Sequence, residues 1–114
     1  MKKLFTLLLF LIFSLIVKSQ VIPSEGLIIA EFNAPFSGTQ CEYLDELTDC
    51  DLAKIDISTQ PKLQSKHKIV VVPTLIVFYD GEEVARFQAN IMMKLEATRE
   101  EVQDKIDETI MSNF

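Results

Sequence analysis

Several residue types that carry chemistry are scarce in this sequence. Among its 114 residues are no tryptophan, one histidine and two cysteines, Cys41 and Cys50. The cysteines do not form a Cys-x-x-Cys pair, and no cysteine or histidine spacing fits a metal site. The sequence therefore predicts no metal and no cofactor, and it lacks the paired thiols that two-electron dithiol exchange requires.

Positive charge and long apolar runs are also in short supply. The formal net charge is −6, and the apolar stretch of residues 4–17 has 14 residues, fewer than the ~20 of a membrane-spanning helix. Two lysines precede this stretch and Val17-Lys18-Ser19 follows it. We therefore predict a secretory signal peptide, residues 1–19, that is cleaved after Ser19. An uncleaved membrane anchor is the alternative.

Cleavage would leave residues 20–114 as one exported domain, either periplasmic or secreted. Without the three lysines of the leader, the domain has eight basic and 17 acidic residues, which gives a net charge near −9. This charge argues against nucleic acid and anionic membrane surfaces as partners. A membrane would be a partner only if the leader stayed in place, and the sequence does not indicate an oligomeric state.

Strand and helix patterns alternate along the exported domain. Apolar runs at residues 27–32 and 52–57 predict buried strands, and a capping box at Thr39–Glu42 predicts a short helix between them. Pro61 opens a second helix, which ends near Lys66 with the lone His67 in solvent. A second capping box begins the last helix, whose apolar face holds Val102, Ile106 and Ile110.

The strongest local signal is a β-hairpin. Residues 70–79 form a β-branched and aromatic run, which is typical of a strand buried on both faces. Asp80-Gly81 is a two-residue hairpin turn, and residues 82–89 supply the return strand. Pro73 cannot donate to a sheet ladder, so we place it at the start of the strand, with a cis Val72–Pro73 bond as a hypothesis.

This order predicts an α/β domain, a four-stranded mixed sheet with helices on both faces. With Val72-Pro73-Thr74 opening the hairpin strand, it resembles the thioredoxin fold over residues 27 to about 111. The run from Ala53 to Ile57, Pro61, and the run from Ile69 to Gly81 follow the family's spacing. The family's usual first strand and helix are truncated here, since only residues 20–26 precede the first strand.

The resemblance extends to the segment that enters the family's active site. Glu31-Phe32-Asn33-Ala34-Pro35-Phe36 is similar to the residues that lead into Cys-Gly-x-Cys in thioredoxins and disulfide isomerases. Here Ser37-Gly38-Thr39-Gln40 follows, so both cysteine positions hold other residues. Ser37 has no activating base nearby in sequence and cannot replace a thiolate.

The resemblance therefore implies a degenerate site that binds a client polypeptide or thiol protein without dithiol exchange. In related folds the backbone beside the proline pairs with an extended polypeptide, which needs no cysteine. We expect this surface to consist of Phe36, Ser37, Val72, Pro73 and Thr74.

A monothiol oxidoreductase that uses Cys41 is the alternative function. In the first turn of a helix, the thiol would gain from free amides and the helix dipole, which lower its pKa. Cys41 could equally be a small core residue. We expect no bridge to Cys50, because the predicted helix would separate the two residues by about 9–12 Å, whereas a disulfide needs Cα atoms within ~7 Å.

Glu31 and Lys54 interrupt neighbouring apolar strands. They match a buried acid–lysine pair of the thioredoxin family, in which the acid assists proton transfer to the active-site thiols. We predict the same buried ion pair here, with a structural role. The alternative is that both side chains reach solvent at strand ends.

Overall fold

The computed structural model describes residues 22–113. Its strands and helices are β1 (Leu27–Asn33), β2 (Asp51–Asp56), α1 (Pro61–Lys66), β3 (Thr74–Tyr79), β4 (Glu82–Gln88) and α2 (Arg99–Ser112). Two short 3-10 turns, Pro35–Ser37 and Leu44–Glu46, lie between β1 and β2. The predicted signal peptide, residues 1–19, lies outside the described residues, and its cleavage stays a prediction.

The strands form a single mixed sheet in the order β2-β1-β3-β4. β1 is parallel to β2 and antiparallel to β3, and β3 is antiparallel to β4. The two central strands are the continuous apolar runs of the sequence, and nearly all of their side chains are buried. Such runs are expected in strands that are covered on both faces. The strand order and pairing confirm the predicted four-stranded mixed sheet.

Alternate side chains of the central strands point to opposite faces and build two hydrophobic clusters. Ile28 and Phe32 belong to the first cluster, against which Leu63 of α1 packs. Ile29 belongs to the second cluster together with Val102 and Ile106 of α2. Helices therefore cover both faces, as predicted. No helix within residues 22–113 is long and apolar enough to cross a membrane.

Local signals set the hairpin and the last helix. Asp80 and Gly81 have φ of +49° and +85°, the left-handed pair that a tight hairpin turn requires. The Val72–Pro73 bond is cis, as hypothesised, and β3 begins at the next residue. At the start of α2, the Thr98 hydroxyl accepts a hydrogen bond from the amide of Glu101 at 3.2 Å, which confirms that cap.

The helix predicted from Thr39 to before Asp49 is wrong. Residues 39–50 form an irregular segment with a single 3-10 turn. The groups expected to build the helix bond elsewhere: the Thr39 hydroxyl donates to the Met93 carbonyl at 2.6 Å, and the Thr48 amide donates to Gln103 Oε1 at 2.9 Å. The Thr39 hydroxyl, which would cap the predicted helix, and the Thr48 amide, which would lie within it, thus bond to distant residues instead.

His67 is not simply solvated. Its ring lies 5.5 Å from that of Phe32 and 5.1 Å from that of Phe78, measured between ring centroids. Burial lowers the pKa of His67, and the neighbouring charge of Lys66 lowers it further. The imidazole therefore joins the edge of the first cluster and has no role in a site.

Candidate functional site

The side chain of Asn33, the last residue of β1, organises the loop that follows the strand. Asn33 Nδ2 donates to the Thr39 carbonyl at 2.6 Å. Asn33 Oδ1 accepts from the Ala34 amide at 2.8 Å and from the Ser37 hydroxyl at 2.7 Å. Gly38 turns the chain in the left-handed region with φ +66°. The loop is thus a turn fixed by side-chain hydrogen bonds.

Ser37 serves this turn and has no catalytic base. Its hydroxyl contacts the amide oxygen of Asn33, the carbonyl of Thr39 at 3.0 Å and the amide of Thr39 at 3.3 Å. None of these groups can remove the hydroxyl proton at neutral pH, which a serine nucleophile requires. The contacts of Ser37 are thus those of a residue that stabilises the turn.

Glu31 is a charged residue that is buried in the sheet, with 3% of its surface exposed. Its Oε2 accepts a hydrogen bond from the Cys41 amide at 2.5 Å. Burial raises the pKa of Glu31, while the amide of Cys41 and the charge of Lys54 act in the opposite direction. A buried carboxylate is thus held by a main-chain donor.

The predicted buried ion pair between Glu31 and Lys54 needs correction. The two residues are neighbours in the register of β1 and β2, but Lys54 is exposed. The ion pairs formed among residues 22–113 are Arg86–Glu83, Arg99–Glu100 and Lys105–Glu108. The carboxylate turns inward to the Cys41 amide, and the ammonium group stays in water, where its desolvation cost is avoided.

A polar cleft of about 530 Å³ opens beside this carboxylate. Its walls are the loop after β1 and the adjoining part of β2, including Glu31, Asn33, Ser37, Gln40, Lys54 and Asp56. Within the described chain, no group of three histidine, cysteine, aspartate or glutamate side chains could hold a metal ion.

Cys41 lies in the hydrophobic core. Only 5% of its surface is exposed, and it packs in the second cluster with Leu44 and Leu47. Burial raises the pKa of Cys41 and the charge of Glu31 raises it further, against hydrogen bonding from Tyr43. The helix start expected to stabilise a thiolate at Cys41 is absent from the irregular segment 39–50, and the Cys41 amide donates to the Glu31 carboxylate. This environment favours the neutral thiol.

Cys50 is half-buried against the same cluster, and both cysteines are free. Burial and the flanking aspartates raise the pKa of Cys50 to about 11. The helix on which the predicted separation of the two thiols rested is absent. The environments of both cysteines resemble those of packing residues more than those of reactive thiols.

The proline side of the predicted surface differs from the expectation. The side chains of Val72, Pro73 and Thr74 are buried, and the Thr74 hydroxyl donates to the Val71 carbonyl at 2.7 Å. Little of these side chains is therefore exposed at the predicted surface, where Val72 contributes to the wall of a cavity. Within residues 22–113 neither the N–H nor the C=O of Val72 makes a hydrogen bond, although the residue is only 4% exposed.

Exposed apolar side chains gather around this main-chain segment. We call Phe36, Val70, Ile91 and Met92 the apolar rim; their exposed fractions are 68%, 79%, 97% and 68%. Three of the four, with Val72 and Met93, line a cavity of about 170 Å³. Asn90 Oδ1 holds the Ile91–Met92 turn by accepting from the amides of Met92 and Lys94 at 2.9 and 3.1 Å.

Sequence reasoning identified Phe36 but missed Val70 and Ile91. The apolar run predicts Val70 in the buried strand, but β3 begins only at Thr74. Ile91 lies in a connection with no periodic pattern. The sequence did hold one indication: several apolar residues lie in a predicted loop, where nothing is expected to bury them.

Comparison with known proteins agrees with this geometry. A family model described as Thioredoxin matches residues 16–106. The thioredoxin of Chlamydia trachomatis is 32% identical over 71 residues, 55% of this chain and 69% of that protein. The thioredoxin of Mycobacterium tuberculosis is 32% identical over 77 residues, 60% of this chain and 66% of that protein. The chain thus spans about two thirds of these relatives.

Solved structures show the same fold. A mutant thioredoxin from Halobacterium salinarum NRC-1 is 28% identical with a TM-score of 0.56, covering 74% of both chains. The thioredoxin of Schistosoma mansoni is 22% identical with a TM-score of 0.56, covering 85% of both chains. A mixed sheet with a loop after β1 facing a cis proline defines a thioredoxin-fold protein. The chain belongs to the thioredoxin family.

Replacement of Glu31 tests whether burial of its carboxylate lowers the free energy of unfolding. Because the pKa of Glu31 is raised in the folded state, its contribution to the free energy of unfolding is full below pH 4.5 and declines as the pH rises through the folded-state pKa. Glu31→Gln keeps an acceptor for the Cys41 amide without the charge. We expect the variant to gain stability relative to the parent as the pH rises from 4 to 8.

Urea unfolding at several pH values measures this difference. Glu42→Gln is the matched control, since Glu42 is exposed and its replacement should give no such pH-dependent gain. A stability difference between Glu31→Gln and the parent that stays constant from pH 4 to 8 would show that burial does not penalise the carboxylate.

Proposed function

We propose that this chain is an exported thioredoxin-family protein that binds an extended polypeptide beside Pro73 and performs no dithiol exchange. The observation that carries the proposal is the unpaired main chain of Val72 beside the apolar rim. A client thiol protein is a suitable partner class, since thioredoxin-family proteins act on thiol protein substrates.

The binding step uses backbone pairing. One residue of an extended segment can exchange two hydrogen bonds with a single residue of a neighbouring strand, through its N–H and its C=O. Val72 offers both groups. Main-chain pairing supplies affinity irrespective of client sequence, and pockets for alternate side chains supply preference.

The apolar rim supplies those pockets. Phe36 and Val70 border the cavity, and Ile91 projects from the turn that Asn90 holds. Burying this exposed apolar surface under a client would be favourable by about 25 cal/mol per Å². The combination of a rigid apolar surface and free main-chain groups supports polypeptide binding more than small-molecule binding.

The residues at the matched positions support the proposed absence of dithiol exchange. Ser37 and Gln40 stand where the family's Cys-Gly-x-Cys has its two cysteines. The hydroxyl of Ser37 is engaged by Asn33 and Thr39, and glutamine has no redox chemistry. A bound client would therefore be held and released without a mixed disulfide at these positions.

Peptide binding tests this function. A fluorescein-labelled decapeptide with an apolar centre and no cysteine should bind the chain of residues 20–114, as measured by fluorescence anisotropy. Combining Phe36→Ser with Ile91→Ser should weaken binding at least tenfold, because two anchors lose apolar burial worth about 1.4 kcal/mol or more in total. N-methylation of the central amides of the peptide should also weaken it.

Val84→Ser is the matched control, since Val84 is exposed and apolar but lies on β4 away from the rim. Equal affinities for the parent, the Phe36/Ile91 variant and the N-methylated peptide would contradict a site at the Pro73 loop.

Monothiol chemistry at Cys41 is the alternative, and alkylation distinguishes it. Burial and the raised pKa of Cys41 keep the thiolate fraction low at neutral pH. We therefore expect iodoacetamide at pH 7.5 to label Cys41 at least a hundredfold more slowly than free cysteine. Cys41→Ser identifies the signal, and mass spectrometry of the labelled peptides separates Cys41 from Cys50.

Rapid alkylation of Cys41, together with reduction of insulin disulfides that Cys41→Ser abolishes, would establish the monothiol enzyme instead.

Export is the remaining part of the proposal. The charged start, the 14-residue apolar region and the small residues near Ser19 support a cleaved leader. We expect the full chain, expressed in a bacterial host, to be recovered from the periplasm or medium with Gln20 as its first residue. Intact-mass measurement checks the cleavage, and a full-length chain in the membrane fraction would contradict it.

A further inference from the structure

Charge is distributed unevenly over this acidic chain. Residues 57–79 contain no aspartate or glutamate, and neither do residues 84–95. These two segments hold five of the eleven basic residues, Lys62, Lys66, Lys68, Arg86 and Lys94. The same segments supply Val70, Ile91 and Met92 of the apolar rim. The candidate binding surface is therefore built from the part of the protein that lacks acidic residues.

The lysines of these segments are available to a partner. Lys68 and Lys94 are exposed, and each lies two residues along the chain from a rim residue, Val70 and Met92 respectively. Within residues 22–113 neither takes part in an ion pair. Arg86 differs, because it binds Glu83 and the carbonyls of His67 and Lys68.

The nearest acids along the chain flank the two segments. Asp56 accepts hydrogen bonds from Ser58, and Glu96 accepts one from Asn90 Nδ2 at 3.1 Å. Neither carboxylate takes part in an ion pair within residues 22–113, so both keep their charge. Along the chain, however, the exposed charged side chains nearest to the rim residues Val70 and Met92 are Lys68 and Lys94.

We propose that the apolar rim selects an extended polypeptide whose apolar centre is flanked by aspartate or glutamate residues. The centre covers the rim and pairs with the main chain of Val72, while the flanking carboxylates approach Lys68 on one side and Lys94 on the other. This selectivity rests on the proposed polypeptide binding and names the client class for the same site.

A polypeptide fits these observations better than an anionic membrane. The main-chain groups of Val72 need a partner with its own N–H and C=O groups, which a lipid surface does not offer. The chain as a whole carries a net charge of −6, so a large anionic surface would be repelled by the remainder of the molecule. A short segment meets only the local positive charge, because salt screens charges beyond about 8 Å.

The experiment compares three labelled decapeptides that share one apolar centre and carry two flanking glutamates, glutamines or lysines at each end. The chain of residues 20–114 should bind the glutamate peptide roughly tenfold more tightly than the glutamine peptide, since exposed ion pairs contribute about 0.2–1 kcal/mol each. The lysine peptide should bind most weakly. The preference should shrink between 50 and 500 mM salt.

Combining Lys68→Glu with Lys94→Glu should reverse the order, so that the lysine peptide binds most tightly. Lys105→Glu is the matched control, because Lys105 lies on α2, which covers the opposite face of the sheet, and its replacement should leave the order unchanged. Circular dichroism verifies that each variant is folded.

The outcomes separate the two proposals. Equal binding of the three peptides, lost on Phe36→Ser with Ile91→Ser, would overturn the acidic preference and retain the binding site. No binding of any peptide would overturn the proposed function itself. Tight binding to phosphatidylserine vesicles that Lys68→Glu with Lys94→Glu abolishes, without discrimination among peptides, would overturn the peptide proposal in favour of a membrane.

Discussion

The hydrogen bond from the Cys41 amide to the carboxylate of Glu31 is the constraint on which the site depends. It ties the segment after the loop to the most buried strand of the sheet, over ten positions of sequence. A buried carboxylate must find donors, and the main chain of Cys41 provides one. Because the amide of Cys41 points at the carboxylate, it does not stabilise a thiolate, and the charge of Glu31 together with burial raises the pKa of Cys41. One interaction thus orders the loop and disfavours the thiolate.

The same loop is also joined to the turn that carries the other residues of the apolar rim. The Thr39 hydroxyl donates to the Met93 carbonyl, which joins the loop after β1 to the turn that follows β4. Asn33 holds one of these segments and Asn90 holds the other through side-chain hydrogen bonds. Phe36 and Ile91 are consequently presented together by fixed backbone, which limits the entropy lost when a partner binds.

Local signals made most of the fold predictable from sequence. Asp80-Gly81 and the Thr98 cap act over two to four residues, so their outcomes do not depend on the remainder of the chain. Residues 39–50 could not be predicted in this way. The hydrogen bonds of Thr39 and Thr48 span 54 and 55 positions, and such pairings are invisible to a pattern of neighbours. A valid capping sequence was overridden by distant partners.

The site was predictable only in part, for a related reason. The resemblance pointed to the cis proline at Pro73, but it did not say which of its neighbours would be exposed. Val70 is exposed and Val72 is buried, although only two positions separate them in one run of valines. Which valine is buried depends on where β3 begins. A shift of strand boundary by a few residues therefore converts a core residue into a contact residue.

Net charge was an equally coarse guide to partners. A value of −6 describes interactions with surfaces larger than the protein itself. A bound segment of a few residues responds to charges within a screening length of about 8 Å. The two segments that supply Val70, Ile91 and Met92 contain no carboxylate, so the charge of these segments is opposite in sign to the net charge of the whole molecule. The proposed binding surface would therefore attract a negatively charged segment even though the net charge of the protein disfavours nucleic acids and anionic membranes.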